Sequence, residues 1–447
     1  MFKLYNTLSR KKETFKSIKK SQVGIYVCGP TIYDYGHLGH GRSAVNFDII
    51  RRFFQYKKYK VNFVFNYTDI DDNMITRANK LKITVKELAK KFSKIYDEDY
   101  KKLNILKPTK KPKPTENIKE IIEKIKKLEK KGYTYNLDDG VYFNTLKFKE
   151  YGKLSKQNLK QLKEGVRVKS DENKKSKHDF VLWKLEKPGE PSWQSSWGKG
   201  RPGWHIECSA MSSSLLGQPF DIHGGGQDLI FPHHENEIAQ AQAGEKKKFA
   251  NYWMHNGFIQ VNKEKMSKSL GNFTTLRDIF KKYNPLVVRY MYISAHYRMP
   301  IDFSGKNLDQ AKSSLERIKN FVLDTKNSKN KLPLELIKKT KEKFIKAMED
   351  DFDTPKALAV IFEFIREANK VGNGKNAYPL MLDFDNILGL DLSKTEEIPK
   401  EIKDLAEKRE KARKEKDWSE SDKLRDKINK KGYEIKDSKE GYSIKKK

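Results

Sequence analysis

One stretch near the N-terminus, residues 23–45, constrains the fold more than any other part of the sequence. It begins with the apolar run 23–27, which predicts a buried strand, and Cys28 and the Gly-Pro pair after it end that strand. After a short loop comes His37-Leu-Gly-His40, followed by a helical pattern with a wide apolar face. The apolar residues of this face are Val45, Phe47, Ile49, Ile50, Phe53 and Phe54. This order of elements predicts an α/β fold in which the helix covers a sheet.

The loop and the start of the helix also have the composition of an anion-binding site. Backbone N–H groups and the helix dipole at a helix N-terminus attract phosphate. Gly39 allows a flat ligand close to the backbone, and His37 and His40 add hydrogen-bond donors. Two other interpretations stay open at this point. The histidines could be solvated loop residues, or residues 39–44 could be a G-x-G-x-x-A dinucleotide motif, although that motif follows its strand directly and here about ten residues intervene.

Length and charge limit the class of protein. The chain has 447 residues, which is long enough for several domains. Its formal net charge of +33 favours a polyanionic partner such as nucleic acid. The excess of lysine also fits a genome biased in base composition, so charge alone is weak support. The first residues carry no apolar signal segment, and no run of about 18 apolar residues occurs. We therefore expect a cytoplasmic protein without a membrane span, and no disulfide between its two cysteines.

Those two cysteines are candidate metal ligands. Cys28 and Cys208 each lie at or near the end of an apolar run, and strand ends far apart in sequence meet at one edge of an α/β sheet. His233 and Glu237 are four residues apart on a predicted helix, so their side chains point the same way. Together these four form a plausible zinc site, with His234 as the rival ligand. In the alternative interpretation, both cysteines are simply small buried apolar residues.

The rest of the chain divides by pattern. The irregular stretch 132–201 is typical of an insertion or small subdomain. From residue 307 onward the pattern is amphipathic and helical, with helices expected over 345–369 and 401–432. The tail after residue 433 predicts a small two-stranded ribbon.

Taken together, these motifs resemble those of the class I aminoacyl-tRNA synthetases, and most closely those of the cysteinyl-tRNA synthetases. His37-Leu-Gly-His40 resembles the HIGH signature of that class, with Leu in place of Ile, and Lys265-Met-Ser-Lys-Ser269 matches its KMSKS signature. The resemblance covers essentially the whole chain. The blocks that are similar to this family in particular are Tyr26-Val-Cys28-Gly-Pro-Thr, Thr68-Asp-Ile-Asp-Asp72, Gly203-Trp-His-Ile-Glu-Cys208-Ser-Ala-Met and Phe231-Pro-His-His-Glu-Asn-Glu-Ile-Ala-Gln240.

The resemblance implies an α/β protein with a Rossmann-type parallel-sheet catalytic core, an insertion, a C-terminal α-helical bundle and a small anticodon-binding domain. The expected boundaries are 1–118 and 204–306 for the core, 119–203 for the insertion, 307–392 for the bundle and 393–447 for the anticodon-binding domain. The implied reaction joins L-cysteine and ATP, with Mg²⁺, to cysteinyl-adenylate and pyrophosphate, and then transfers cysteine to the 3′ end of tRNA(Cys). We expect a monomer that does not bind membranes.

The resemblance also assigns roles to residues of this sequence. The implied zinc ligands, one ion per chain, are Cys28, Cys208, His233 and Glu237. The implied catalytic residues are His37, His40, Lys265 and Lys268. The implied ATP-binding residues are Gly39, Gly224, Gly226, Asp228 and Lys268. The implied substrate-binding residues are Gly29, Thr68, Trp204 and Asp228. The implied tRNA-binding residues are Arg409, Arg413, Trp418 and Arg425.

Several alternatives to these roles remain open. Asp228 could contact either the adenosine or the ammonium group of the amino acid. Trp204 and Trp418 could be ordinary packing residues. A zinc ligase that joins cysteine to a small amine would share this core, but it would not need the long basic C-terminal region. A catalytically silent zinc- and RNA-binding protein would not need the intact lysines and histidines of both signatures.

Overall fold

The computed structural model describes residues 2–157, 173–261, 264–265, 274–394, 399–438 and 441–446. The N-terminus forms an antiparallel hairpin of β1 (Lys3–Asn6) and β2 (Lys11–Thr14). Directly after β1, the N–H of Thr7 donates to the carbonyl oxygen of Trp253 over 2.8 Å. The hairpin is therefore attached to a strand that lies almost 250 residues later in the sequence.

A strand–helix–strand unit follows, made of β3 (Gln22–Val27), α1 (Leu38–Tyr56) and β4 (Lys60–Phe65). The two strands pair in parallel, and the predicted strand and helix are confirmed. The helix begins inside the first signature motif because the ring of His37 accepts hydrogen bonds from the N–H groups of Gly39 and of the residue after it. A long apolar face of α1 is buried, and this burial holds the helix on the sheet.

Three helices and a separate sheet come next. The helices are α2 (Asp72–Leu81), α3 (Val85–Lys102) and α4 (Ile118–Lys130). The antiparallel sheet runs in the order β5 (Thr134–Leu137), β6 (Gly140–Phe143), β7 (Phe180–Leu185) and β8 (Gly200–Pro202). Helix α4 and this sheet share one hydrophobic cluster with part of the chain after residue 203, so the insertion packs onto the main core.

The main sheet is completed after the insertion. The elements that complete it are α5 (Trp204–Leu216), β9 (Phe220–Gly226), α6 (Glu235–Glu245) and β10 (Ala250–Asn256). All four strands are parallel and stand in the order β10-β9-β3-β4. Because the carboxyl ends of parallel strands share one edge, the residues that follow these strands lie near one another. The expected Rossmann-type core is confirmed.

A small three-stranded sheet lies beyond β10. Its strands are β11 (Ile259–Val261), β12 (Glu264–Lys265) and β13 (Ile301–Asp302), with α7 (Leu276–Phe280) and α8 (Pro285–Ile293) between the last two. Strand β11 is central, antiparallel to β12 and parallel to β13. This sheet therefore carries the chain from the end of β10 to the second signature motif.

Four helices then form a bundle: α9 (Gly305–Lys326), α10 (Leu334–Met348), α11 (Thr354–Lys370) and α12 (Ala377–Leu388). The expectation of one helix over 345–369 is wrong. The helix breaks where Asp351 (φ +63°) and Phe352 (φ +56°) adopt the left-handed conformation. The buried carboxylate of Asp351 accepts hydrogen bonds from the Tyr297 hydroxyl at 2.8 Å and from Arg298 Nε at 2.9 Å. These contacts to the core outweigh the local helical pattern.

The C-terminal unit contains α13 (Lys400–Lys414), α14 (Trp418–Lys430), β14 (Tyr433–Ser438) and β15 (Gly441–Lys446). The two strands pair antiparallel, so the predicted ribbon is confirmed. The unit has its own small apolar cluster. Across the part of the chain that the structure describes, no helix is both long enough and apolar enough to span a bilayer.

A buried ion pair joins α1 to the rest of the core. Asp48 Oδ2 lies 2.6 Å from Arg289 Nη2 and 2.7 Å from Arg52 Nε. Arg289 also donates to the carbonyl oxygens of Leu388 at 2.8 Å and Leu103 at 2.9 Å. Burial raises the pKa of the Asp48 carboxyl, but the charges of the two arginines outweigh it and hold that pKa below its ordinary value. The carboxylate is therefore charged at neutral pH.

We expect Asp48→Asn to destabilise the protein strongly. The amide keeps the shape of the side chain but leaves the buried Arg289 guanidinium without its counter-charge, at a cost of about 3–5 kcal/mol. Urea unfolding measures this loss. Lys12→Met is the control, because Lys12 forms an exposed 2.7 Å pair with Asp350 and should change stability by less than about 1 kcal/mol. Equal losses in the two variants would contradict the expectation.

Candidate active site and metal centre

The four predicted zinc ligands meet at the carboxyl-end edge of the parallel sheet. Cys28 Sγ lies 3.7 Å from His233 Nε2 and 3.3 Å from Glu237 Oε1. His233 Nε2 lies 3.1 Å from Glu237 Oε1. With Cys208 Sγ included, the ligand atoms all lie within 4.8 Å of one another, and all four residues are buried.

Each ligand reaches this point on a different element. Cys28 directly follows β3, and Cys208 lies in the second turn of α5. Glu237 lies in the first turn of α6, and His233 precedes that helix in the helical turn Ile230–His234. Helices α5 and α6 pack against each other beside the sheet, so the large sequence separation between the two cysteines is closed by the fold.

This donor set fits a zinc ion. Zinc takes thiolate at about 2.3 Å and imidazole or carboxylate at about 2.0–2.2 Å in a tetrahedron, which puts the ligand atoms roughly 3.3–3.8 Å apart. The observed separations of 3.1–3.7 Å need little adjustment to reach that geometry. A buried carboxylate and thiolate also need positive charge nearby, which a divalent cation supplies.

A second set of donors overlaps the first. His223 and His234 can form a metal-binding group with the same Cys28 and Glu237. His223 Nε2 lies 2.9 Å from Glu237 Oε2, and His234 Nδ1 lies 2.8 Å from Nε2 of His255. From the sequence, His234 was a rival ligand, but His223 and His255 were missed. Their position on β9 and β10, the strands that end at this edge, was the signal that could have found them.

The charges of the cluster favour ionised ligands. Burial alone raises the pKa of the Glu237 carboxyl, but its interactions with His223 and His233 lower it to about 2. The hydrogen bond from Cys28, together with His233, lowers the pKa of the Cys208 thiol to about 6 despite burial. Burial raises the pKa of the Cys28 thiol. One thiolate and one carboxylate are thus available at neutral pH in the forms that bind metal.

Trp204 lies at the solvent-facing side of the cluster. Its ring centroid is 4.3 Å from that of His233, and 40% of the residue is exposed, which ordinary core packing does not explain. The neighbouring His205 places Nδ1 2.9 Å from Nδ1 of His233. That contact holds the His233 ring so that Nε2 faces the other ligands. Sequence reasoning missed His205, and the substrate role of Trp204 stays a prediction.

A chain of hydrogen bonds runs along the edge from β3 to β4. The N–H of Gly29 donates to Asn66 Oδ1 at 2.9 Å, and Asn66 Nδ2 donates to Thr68 Oγ1 at 3.4 Å. The Thr68 hydroxyl donates to Glu207 Oε2 at 3.4 Å. A side chain at Gly29 would overlap the Asn66 carbonyl oxygen. Burial raises the pKa of the Glu207 carboxyl, whose Oε1 has no hydrogen-bond partner among the described residues.

The histidines of the first signature cap their own helix. His37 Nδ1 accepts hydrogen bonds from the N–H groups of Gly39 at 3.0 Å and His40 at 3.3 Å. His40 Nδ1 accepts from the N–H of His37 at 3.3 Å and lies 3.1 Å from the Tyr96 hydroxyl. The two rings stack with centroids 3.5 Å apart. The phosphate contacts of both histidines stay predictions.

The glycines at the end of β9 are close-packed against the protein itself. A side chain at Gly224 would overlap the ring of Phe47, and one at Gly226 would overlap the carboxylate of Asp228. At both positions the backbone is therefore closely approached by side chains of this chain. An ATP contact for Gly224, Gly226 or Asp228 stays a prediction.

The second signature is only partly described. Lys265 is the last residue of β12, and Lys268 lies outside the described residues. The segment that begins at Thr274, after the motif, pairs with the first signature: the N–H of Leu38 donates to the Thr274 carbonyl at 3.3 Å. In addition, the N–H of Leu276 donates to the Gly36 carbonyl at 2.7 Å. The segment that follows the second signature is thus joined by backbone hydrogen bonds to the start of the first, while the catalytic roles of both lysines stay predictions.

The predicted tRNA-binding residues differ in environment. Both terminal nitrogens of Arg409 donate to the Asp437 carboxylate, at 2.7 and 2.9 Å, and only 1% of Arg409 is exposed. Its geometry fits a structural role between α13 and β14 better than contact with RNA. The guanidinium of Arg413 lies 5.8 Å from the ring of Trp418, which is 58% exposed. Arg425 lies on α14 and, after Arg409 and Arg413, helps lower the pKa of Asp437.

Family comparisons cover most of the chain. The model of the tRNA synthetases class I (C) catalytic domain matches residues 14–313, which is more than half of the sequence. The DALR domain matches residues 343–393. The cysteinyl-tRNA ligase anticodon binding domain matches residues 395–442.

Solved structures of other synthetases share the fold. A methionyl-tRNA synthetase from Mycobacterium tuberculosis in complex with methionyl-adenylate has a TM-score of 0.61 at 13% identity, over 83% of this chain and 90% of that chain. A Campylobacter jejuni protein assigned as an arginyl-tRNA synthetase has a TM-score of 0.54 at 12% identity, over 85% and 93%. Such low identities show the fold alone. The family matches go further: this chain belongs to the class I cysteinyl-tRNA synthetases and is a cysteine–tRNA ligase.

Proposed function

We propose that a zinc ion held by Cys28, Cys208, His233 and Glu237 selects cysteine by its thiol. The ligase must reject serine, and apolar pockets discriminate such closely similar substrates by only about 10–200-fold. Zinc bound here supplies a soft Lewis acid that prefers thiolate to hydroxyl. The observation that carries the proposal is the convergence of four buried ligand atoms within 4.8 Å.

Four protein ligands leave the substrate thiolate as a fifth ligand, unless Glu237 loosens. Glu237 is suited to that change because its two oxygens have different partners. Oε1 faces His233 at 3.1 Å, and Oε2 faces His223 at 2.9 Å. The carboxylate would keep a partner at His223 if Oε1 withdrew, so the buried charge would not be left alone.

The residues beside the cluster would hold the rest of the amino acid. Trp204, half exposed next to His233, would cover the substrate side chain and exclude water. Thr68 would contact the substrate through a hydroxyl whose position is set by Asn66 and Glu207, both 3.4 Å away. For Asp228 two roles remain: it would bind the substrate ammonium group or the adenosine.

ATP, with Mg²⁺, is the other substrate, as the class I catalytic domain implies. Its phosphates would bind at the N-terminus of α1, where the N–H groups and the helix dipole favour negative charge. His37 and His40 would add hydrogen-bond donors. Lys265 and Lys268 would neutralise the departing pyrophosphate. Catalysis would therefore rest on positioning and on charge neutralisation.

For tRNA(Cys), Arg413, Trp418 and Arg425 are the proposed contacts of the C-terminal unit. An exposed tryptophan beside an arginine offers a surface on which an unstacked base can stack. The match to an anticodon-binding domain disfavours the alternative of a ligase for small amines. A monomeric state, a cytoplasmic location and the domain boundaries given above stay predictions.

Thiol selection can be measured without tRNA. We expect ATP–pyrophosphate exchange to depend on cysteine and to be at background with serine at the same concentration. We also expect chelation of the metal to abolish the cysteine-dependent rate, and added zinc to restore it. Equal exchange rates with the two amino acids would refute thiol selection.

The two overlapping donor sets make different predictions about metal content. If Cys208 is a ligand and His234 is not, Cys208→Ser should lose most of its zinc, whereas His234→Asn should keep about one ion per chain. Elemental analysis of the purified variants measures this, and circular dichroism checks that each one folds. The reverse pattern would assign the ion to the set that contains His223 and His234.

The role of Trp418 can be separated from activation. Stacking of one base on an aromatic ring is worth about 1–3 kcal/mol, so Trp418→Ala should raise the KM for tRNA roughly 5- to 150-fold. Pyrophosphate exchange should be unchanged. Leu334→Ala, which removes an exposed apolar side chain from the helical bundle, is the matched control. A wild-type KM for tRNA in Trp418→Ala would show that Trp418 does not contact the RNA.

A further inference from the structure

A buried arginine lies in the first signature helix and contacts none of the residues assigned above. Arg42 is in the second turn of α1 and is fully buried. Its Nη1 donates to the carbonyl oxygens of Gly257 at 3.0 Å and Phe258 at 2.6 Å. Its Nη2 donates to the carbonyl oxygen of Met299 and lies 3.5 Å from that of Tyr297. The guanidinium is therefore surrounded by backbone carbonyls.

Arg42 keeps its charge in this setting. Burial lowers the pKa of its guanidinium to about 10, which still leaves it protonated at neutral pH. A buried charge is costly unless its hydrogen bonds are made, and here the carbonyl groups make those of Nη1 and Nη2, while Nε has no partner among the described residues. The planar fork of an arginine can donate to several acceptors at fixed angles, which the single ammonium group of a lysine cannot reproduce.

The carbonyls that Arg42 binds belong to two segments that must stay together. Gly257 and Phe258 form the turn between β10 and β11, and Met299 lies just before β13. The segments touch closely, because a side chain at Gly257 would come within 2.5 Å of the Met299 carbonyl oxygen and 2.7 Å of that of Arg298. Arg42 thereby attaches the residues that precede β11 and β13 to helix α1, which begins in the first signature.

That attachment lies on one side of the second signature. Strand β11 begins directly after Phe258, and it pairs with β12 so that Gln260 lies opposite Lys265. On the other side, the backbone hydrogen bonds of Thr274 and Leu276 join the returning chain to residues 36–38. Both flanks of the motif at 265–269 are thus fixed to the start of α1, one through a side chain and one through the backbone.

We propose that Arg42 is a positioning residue that sets the second signature against the first, so that ATP is held from both sides. The proposal rests on the ATP role proposed above for the two signatures. Arg42 acts through the carbonyls of residues 257, 258 and 299 and touches no substrate. Its effect should fall on the rate of adenylate formation, because a misplacement of about 1 Å can cost about 100-fold in rate.

The test compares Arg42→Lys with Arg51→Lys. Arg51 is a matched control on the same helix: it is also buried, and its Nη1 donates to the carbonyl oxygens of Lys107 at 2.6 Å and Leu106 at 3.3 Å, away from the signatures. We expect Arg42→Lys to lower the kcat of pyrophosphate exchange about 10- to 100-fold. The KM for cysteine and the zinc content should not change. Arg51→Lys should keep the wild-type kcat at a similar loss of thermal stability.

Two further variants make the result decisive. Gly257→Ala displaces the same segments without altering Arg42, and it should lower kcat in the same way even if Arg42→Lys does not fold. Lys268→Ala tests the ATP role itself, so a retained rate there would refute that role rather than the positioning. If Lys268→Ala loses activity but Arg42→Lys and Arg51→Lys have the same kcat, the positioning role of Arg42 is refuted. A parallel loss of zinc or of cysteine affinity in Arg42→Lys would also refute it.

Discussion

The carboxylate of Glu237 is the group on which the arrangement of the site depends. It is fully buried, and such a charge is tolerated only with close partners of opposite charge or with good donors. His223 from β9 and His233 from the turn before α6 supply them at 2.9 and 3.1 Å. One side chain therefore fixes the sheet, the turn and the helix relative to one another. The thiols of Cys28 and Cys208 are then held beside this carboxylate, where a divalent cation would neutralise the thiolate and the carboxylate together.

The sequence was informative where a local pattern has one structural meaning. The apolar run ended by Cys28 and Gly-Pro indicated a strand, and the four-residue spacing of His233 and Glu237 indicated that their side chains meet, although His233 lies in the turn before α6. It was uninformative where a partner comes from another element. His223 and His255 lie on β9 and β10, but the pairing of these two strands is a feature of the topology and not of either local sequence, and so the histidine network around Glu237 was missed.

Other differences have the same origin in tertiary contacts. The helix expected over 345–369 is broken because Asp351 reaches back to the core, which a pattern of helical residues does not encode. Arg409 matched a tRNA-binding block, but the motif did not reveal that the side chain turns inward to Asp437. The glycines at the end of β9 permit something to approach the backbone closely. They did not show that at Gly224 it is the ring of Phe47 rather than a ligand.

Helix α1 gathers these constraints into one rigid element. Within ten residues it buries Arg42, Asp48 and Arg51, each bound to a different segment: the turn at 257–258, the guanidinium of Arg289, and the loop at 106–107. Apolar residues of similar volume would stabilise such positions at least as well, so stability alone does not explain three buried charges. Directional hydrogen bonds fix distances that apolar contacts leave adjustable. The element whose N-terminus carries His37 and His40 is thereby held in register with these three segments, and the turn at 257–258 is the one that leads to the second signature.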